Sequence, residues 1–326
     1  MRAPGYKHLY GPVPSRRLGN SLGIDLVPPK ICPYDCIYCQ LGRTSRKTME
    51  RREYVPVDQV LAELEARLGE GVKPDCISLA GSGEPTLNSE IGVLLKRIKE
   101  MTDIPVTVLT NGALLWMDEV REGLMAADIV LPSLDAGNAL QFKYVNRPCA
   151  RLSYSRMVAG ISDFTREFPG RVWLEVMLLG QVSDTLSMVS LLADQAGKIA
   201  PEKIQLNTVF RPPVDQSAVP VPRETMQLLA EVFPGRVEII STPEAGPSTR
   251  TALSQVREED ILDLLNRRPC TTEDVARGLG IHLAESIKCL KELVDRGKVV
   301  NEMIGERIFY RPGRRGEGTS EPGEGE

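Results

Sequence analysis

The sequence predicts an α/β protein: a parallel sheet wrapped by helices and curved into a partial (β/α) barrel, followed by a small helical domain with a hairpin. Three observations carry this. Short β-rich runs are strung from about Leu22 to Ser241, amphipathic helical segments separate them, and past Val256 the pattern changes to closely spaced helices.

The runs are Leu22–Val27, Cys76–Ala80, Val106–Leu109, Ile129–Leu134, Val172–Leu179, Ile204–Val209 and Val237–Ile240. Between them, Val57, Val60, Leu61, Leu64 and Leu68 fall on one helical face, as do Ile91, Leu94, Leu95 and Ile98. Strands separated by helices need crossover connections, which pair them in parallel and place the helices outside. A single uninterrupted series favours a barrel or partial barrel over a doubly wound sheet, and residues 1–250 are assigned to it.

Residues 256–312 are assigned to a second domain. Asp260 to Arg268 reads as a helix stopped by Pro269. Thr271, with Asp274 three residues on, caps a short helix ending near Gly278 and Gly280, and a third helix runs from His282 to Arg296. Val299, Val300 and Met303 lead through Gly305 to Ile308, Phe309 and Tyr310, a hairpin pattern. Three helices followed by a hairpin resemble a winged helix-turn-helix domain. The tail from Gly313 to Glu326 is too polar to pack and is expected to be disordered.

Composition narrows the function. A net charge of −4 gives no general affinity for nucleic acid or anionic membrane. No stretch is apolar enough for a signal peptide or a bilayer span, so the expected location is cytoplasmic. In that compartment the seven cysteines do not suggest disulfides. Only His8 and His282 are histidines, which argues against a His-ligated zinc site and a Ser/His or Cys/His nucleophile. The second domain, counted from Arg257 to Arg311, has 10 basic and 11 acidic residues, so DNA is a poor partner for it.

The strongest chemical signal is Cys32-Pro-Tyr-Asp-Cys36-Ile-Tyr-Cys39, directly after the first predicted strand. Thiolates are the usual protein ligands of iron–sulfur clusters, and this spacing lets one loop wrap three corners of a cube. A [4Fe–4S] cluster held by three thiolates keeps one iron open to another ligand. A closed zinc site would need a fourth Cys or His, and none follows within the next thirty residues. Of the other thiols, Cys76 and Cys289 read as apolar core positions, while Cys149 follows Pro148 in a loop and Cys270 precedes a helix.

The spacing, with Tyr38 before the third cysteine, resembles the defining motif of the radical SAM superfamily. The resemblance implies a [4Fe–4S] cluster whose open iron is chelated by S-adenosyl-L-methionine (SAM), and a low-potential electron donor. Reductive cleavage of the sulfonium then gives a 5′-deoxyadenosyl radical that abstracts hydrogen from a substrate. Gly81-Ser82-Gly83-Glu84-Pro85 stands where the family carries a Gly-Gly-Glu motif, with Ser82 in place of the first glycine. Ser82, Gly83 and Glu84 are then candidates for the methionine end of the cofactor. Thr110 and Asn111, and Ser133 and Asp135, end later strands and are candidates for the methionine or the ribose, Asp135 foremost for the ribose diol. Glu175 alternates with Trp173 and Met177 and is read as barrel-lining, a cofactor contact or a paired core charge, and Asn207 is treated alike.

The segment from Tyr10 to Gly19, with Arg16 and Arg17, closely resembles a subgroup of the superfamily similar to the enzymes that build the wyosine base on tRNA. That likeness covers about the first 240 residues. No second cysteine cluster lies near the N-terminus and no lysine stands out as a Schiff-base former, so the family is implied and the wyosine substrate is not. The candidate substrate is a macromolecule, tRNA or peptide. The competing reading from another class is an iron–sulfur redox sensor acting through the winged helix.

Overall fold

The computed structural model describes residues 6–240, 258–305 and 307–313. The chain divides into two compact units, Met1–Glu244 and Ala245–Glu326. The expected disordered tail lies, apart from Gly313, outside the described residues, as does the segment joining the units.

The first unit opens with the hairpin β1 (Leu9–Ser15) and β2 (Gly19–Ile24), then a small parallel pair, β3 (Ile31–Cys32) and β4 (Arg46–Lys47), around the cysteine loop. There follow α1 (Val57–Gly69), β5 (Cys76–Leu79), α2 (Ile91–Met101), β6 (Val106–Thr110), α3 (Asp118–Leu124) and β7 (Ile129–Pro132). Two helices, α4 (Ala139–Val145) and α5 (Tyr154–Glu167), precede β8 (Arg171–Leu178). The unit closes with α6 (Leu186–Ile199), β9 (Lys203–Thr208), α7 (Arg223–Ala230) and β10 (Val237–Ile239). Eight strands make one sheet in the order β1-β2-β5-β6-β7-β8-β9-β10. Every neighbouring pair is parallel except β1 with β2. The order advances in one direction and never reverses, which distinguishes a singly wound sheet from a doubly wound one.

The predicted runs all became strands, and the two marked faces became α1 and α2, burying Val60, Leu61 and Leu64 from one and Leu94, Leu95 and Ile98 from the other. Within the eight-stranded sheet, the strand that periodicity did not reveal is β1. Its Leu-Tyr-Gly-Pro-Val-Pro-Ser sequence breaks alternation with two prolines, which lack the N–H that a central strand requires. At the sheet edge that donor is not needed, and the register shifts between Tyr10 and Val13. Because the parallel strands run the same way, their C-terminal ends share one edge, and the loops leaving Ile24, Leu79, Thr110, Pro132, Leu178 and Thr208 gather there.

The second unit holds α8 (Glu258–Arg267), α9 (Thr272–Leu279), α10 (Leu283–Asp295) and the antiparallel pair β11 (Val299–Ile304) and β12 (Arg307–Pro312). Thr271 and Asp274 form the capping box expected of them. Ile261, Leu265, Val275, Leu290, Leu293 and Val299 form its own small core. Cys270 is fully buried in that core, whereas Cys289, read from sequence as a core thiol, is only half-buried at its margin.

Candidate active site

The cysteine loop is pinned from several sides before any side chain is considered. Lys30 carries a left-handed backbone (φ 62°), a conformation that turns the chain sharply after Pro28 and Pro29. Its N–H donates to the Ser82 carbonyl at 2.6 Å, and its own carbonyl accepts from Ser45 and Arg46. Further along, Asp35 N–H donates to Asn146 O and Ile37 N–H to Val145 O, at the end of α4. On the other side Val214 and Asp215 donate to the carbonyls of Cys39 and Ile37. The loops after β5, β7 and β9 thus all hold the thiol-bearing turn.

Each thiol then meets a side-chain nitrogen donor from a different part of the chain. The Lys30 ammonium lies 3.1 Å from Cys39 Sγ, the Asn111 amide 3.3 Å from Cys32 Sγ, and the Asn146 amide 3.4 Å from Cys36 Sγ. All three thiols are half-buried. Burial, reinforced by the Glu84 carboxylate, pushes the Cys32 thiol up to about 12, and burial with Asp135 nearby raises Cys36 strongly as well. Among the described residues no group of three His, Cys, Asp or Glu converges as the ligands of a single metal ion.

The carboxylates at the strand ends are engaged within the protein. Glu84 is buried, and its Oε1 accepts from Thr86 N, Thr86 Oγ1 and Thr110 Oγ1 while Oε2 accepts from Asn111 N at 2.8 Å. Burial pushes the Glu84 carboxyl above its usual range against the pull of those donors. The glycines before it serve packing. A Cβ on Gly83 would stand 2.4 Å from the Ile31 carbonyl, and Gly81 has a positive φ (117°) with Asp25 occupying the space a side chain would need. These glycines let the β5 loop sit against the root of the cysteine loop. Ser82 takes part through its backbone, donating to Asp25 Oδ1 as well as accepting from Lys30.

Asp135 is buried and joins the thiol loop to the sheet. Its Oδ2 accepts from Tyr38 Oη at 2.5 Å and from the Asn146 amide at 2.9 Å, and its Oδ1 from Met177 N. Burial raises its carboxyl to about 6 despite those donors. Ser133 contributes a backbone bond to Thr110 O. Glu175 is the paired charge that sequence reasoning allowed for: Arg17 meets its Oε2 at 2.5 Å and Asn207 donates to its Oε1 at 3.0 Å. Arg17 outweighs the cost of burial and holds the Glu175 carboxyl below its usual range. Arg16 donates to Asn207 Oδ1 and lies over Phe210.

The structure therefore gathers Cys32, Asn111, Thr110 and Glu84 on one side and Cys36, Tyr38, Asp135 and Asn146 on another, with Glu175 tied to the hairpin tip. Lys30 and Asn146 were missed from sequence. A cation two positions ahead of the first thiol was a signal for Lys30; Asn146, 110 residues from Cys36, gave none.

A family model described as the Radical SAM superfamily matches residues 26–189. The chain is 38% identical over 305 residues to a Brachyspira hyodysenteriae protein named GTPase Obg, spanning 93% of this chain and 45% of that protein. Its Gly-Lys pairs, Gly197-Lys198 and Gly297-Lys298, are followed by Ile and Val, so it has no phosphate-binding Gly-Lys-Ser/Thr loop of its own. It is 30% identical over 308 residues to a UPF0026 protein of Methanocaldococcus jannaschii, spanning 92% of this chain and 94% of that one. Among solved structures, TYW1 with a lysine-pyruvate adduct bound shares the fold at TM-score 0.51 and 14% identity, over 65% of this chain and 72% of that one.

Proposed function

The chain belongs to the radical SAM superfamily, and from that premise we propose that it is an enzyme in which Cys32, Cys36 and Cys39 hold a [4Fe–4S] cluster that binds and reductively cleaves SAM. The observation that carries this reading is the trio of thiols, each met by a side-chain nitrogen donor from a different part of the chain. A cube presents its irons at separate corners, which suits sulfurs positioned one by one. Hydrogen bonds to cluster sulfurs also tune such centres. When bound, the cluster would pass one electron from a low-potential donor to the sulfonium, whose sulfur–carbon bond would break to give methionine and a 5′-deoxyadenosyl radical for hydrogen abstraction.

The chain's own residues position and enclose. Asn111 is fixed twice, its Oδ1 accepting from Ala113 N while its amide points at Cys32 Sγ. Glu84 Oε1 is filled by three donors and Oε2 by one, so its spare acceptor capacity toward the methionine ammonium sits on Oε2. Thr110, Ser82 and Gly83 hold that carboxylate and its turn in place. Asp135, fixed by Tyr38 and Asn146, stands beside the thiol loop as the ribose-diol candidate, with Ser133 next to it. Glu175 with Arg17 closes the far side of the same sheet edge.

We read the singly wound sheet, residues 1–250, as a partial barrel and residues 256–312 as a winged helix-turn-helix. Three helices, a capping box and a paired hairpin support the second assignment. Its balanced charge argues against duplex DNA and favours a docking or substrate-presenting role, the candidate substrate of the enzyme being a macromolecule, tRNA or a peptide. Among the described residues no helix is long and apolar enough to cross a membrane, and we place the enzyme in the cytoplasm. The test is anaerobic: purified protein with reconstituted iron and sulfide, SAM and a strong reductant should release 5′-deoxyadenosine. A full cluster that yields none, or zinc in place of iron in protein made without oxygen, overturns the proposal.

A further inference from the structure

A cleft of about 610 Å³ opens beside the cysteine loop, between β4 and the α4–α5 connection. Lys47, Lys143 and Arg147 line it together with Phe142, Cys149 and Tyr154, and no carboxylate does. The sequence on both walls is depleted of acid. Residues 36–49 contain no Asp or Glu, and neither do residues 136–162, which carry Lys143, Arg147, Arg151 and Arg156. The counter-charges beside it are Asp215, which pairs with Arg147 and Arg43, and Asp35, which pairs with Arg43. Lys143 has no ion pair among the described residues, and Lys47 reaches only the Arg147 carbonyl. In a chain of net charge −4, this face is locally positive.

Its position is as telling as its charge. The cleft wall is bonded to the outside of the thiol loop by Cys149 N to Pro33 O, Asp35 N to Asn146 O and Ile37 N to Val145 O. Asn146, whose amide touches Cys36 Sγ, is the immediate neighbour of Arg147. The exposed face of α4 presents Leu140 and Tyr144 (80% and 48% exposed) at i and i+4, with Lys143 beside them.

We infer that this cleft and the α4 face form the docking site for an acidic one-electron carrier protein. The inference rests on the cluster assignment above. An apolar centre ringed by cations is the anatomy of a small, electrostatically steered protein interface. Tight phosphate binding would need several unopposed cations, whereas Arg147 and Arg43 are already paired. Electron tunnelling falls steeply with distance, and a carrier here sits against the backbone that holds Cys36. In the step, the reduced carrier loses one electron, the cluster gains it, and no atom moves between them.

The test uses the full-length, anaerobically reconstituted protein and two reductants, a reduced bacterial flavodoxin and photoreduced 5-deazaflavin. Cluster reduction is followed by loss of visible absorbance and by EPR. Reversal of the two ammonium groups without a carboxylate partner among the described residues, Lys47→Glu with Lys143→Glu, should slow reduction by flavodoxin about tenfold at low salt. It should leave reduction by deazaflavin unchanged, and rising salt should erase the difference. Lys143→Arg should keep the wild-type rate. An unchanged flavodoxin rate in the reversed variant overturns the inference, as does an equal loss with both reductants. Loss of tRNA binding without loss of flavodoxin-driven reduction overturns it in favour of a nucleic-acid surface. Protein that assembles no cluster at all, seen before any reductant is added, removes the underlying assignment instead.

Discussion

The thiol loop and the strand-end carboxylates lie at the same edge of the sheet and are built on opposite terms. Glu84, Asp135 and Glu175 are each bound by donors from within the chain, four to Glu84, three to Asp135, and two partners to Glu175. The three sulfurs each have one side-chain nitrogen donor and retain their capacity for a further ligand. A buried carboxylate left unpaired would cost several kcal/mol, so the chain supplies donors to each of these groups and leaves only limited acceptor capacity, as on Glu84 Oε2. A thiol is weakly polar and tolerates a half-made environment. The difference separates frame from reactive centre: the carboxylates fix the loops, and the loops present the sulfurs.

That separation predicts graded effects. The largest belongs to the sulfurs. Cys36→Ala should abolish cluster assembly and 5′-deoxyadenosine formation together, while leaving the fold intact, since the thiol's hydrogen bond from the Asn146 amide is long, at 3.4 Å. Iron analysis and urea unfolding of the same preparation check both halves. Both tryptophans, Trp116 and Trp173, lie in the first unit, so their fluorescence reports its unfolding alone. Collapse of the unfolding transition in this variant would mean that the loop carries structure after all.

The carboxylates should behave in reverse. Glu84→Ala strands the buried Thr86 and Thr110 donors and the half-buried Asn111 N–H, and should cost about 4 kcal/mol by urea unfolding of metal-free protein. Glu84→Gln, which keeps an acceptor, should recover part of it. A Glu84→Ala variant that unfolds like wild type but fails to bind SAM would make Glu84 a ligand-facing group only. Next in size, Arg17→Ala leaves the Glu175 carboxylate buried without its cation and should cost about 3 kcal/mol in the same assay. Adding Glu175→Gln should return much of that loss, because the stranded charge is then gone.

What the sequence revealed follows from distance along the chain. The alternation of β5, β6, β7, β8 and β9 with helices is a local periodicity, and the cysteine loop is a local spacing, so both were legible. The Arg17–Glu175 pair spans 158 residues and the Asn146–Cys36 contact 110, and no local pattern encodes either. β1 was hidden by Pro12 and Pro14, whose cost vanishes only once the strand is known to lie on an edge. Gly81 and Gly83 were visible as small residues, but whether they admit a ligand or the chain's own Ile31 and Asp25 is a tertiary fact.

The smallest effect tests the boundary between the two regions. Lys30 is a frame residue by its backbone, with bonds to Ser82, Ser45 and Arg46, and a centre residue by its ammonium at 3.1 Å from Cys39 Sγ. Lys30→Met keeps the backbone bonds and much of the side-chain length, and removes the charge. Stability should change by less than about 0.5 kcal/mol, since no other hydrogen bond depends on the amine. Reducing the cluster adds negative charge beside that position, and a nearby cation favours the reduced form. EPR-monitored redox titration should therefore find a more negative midpoint potential in Lys30→Met and a wild-type-like one in Lys30→Arg. An unchanged potential in Lys30→Met with lowered stability would assign Lys30 wholly to the frame, and the division between closed carboxylates and open sulfurs would then run through the backbone alone.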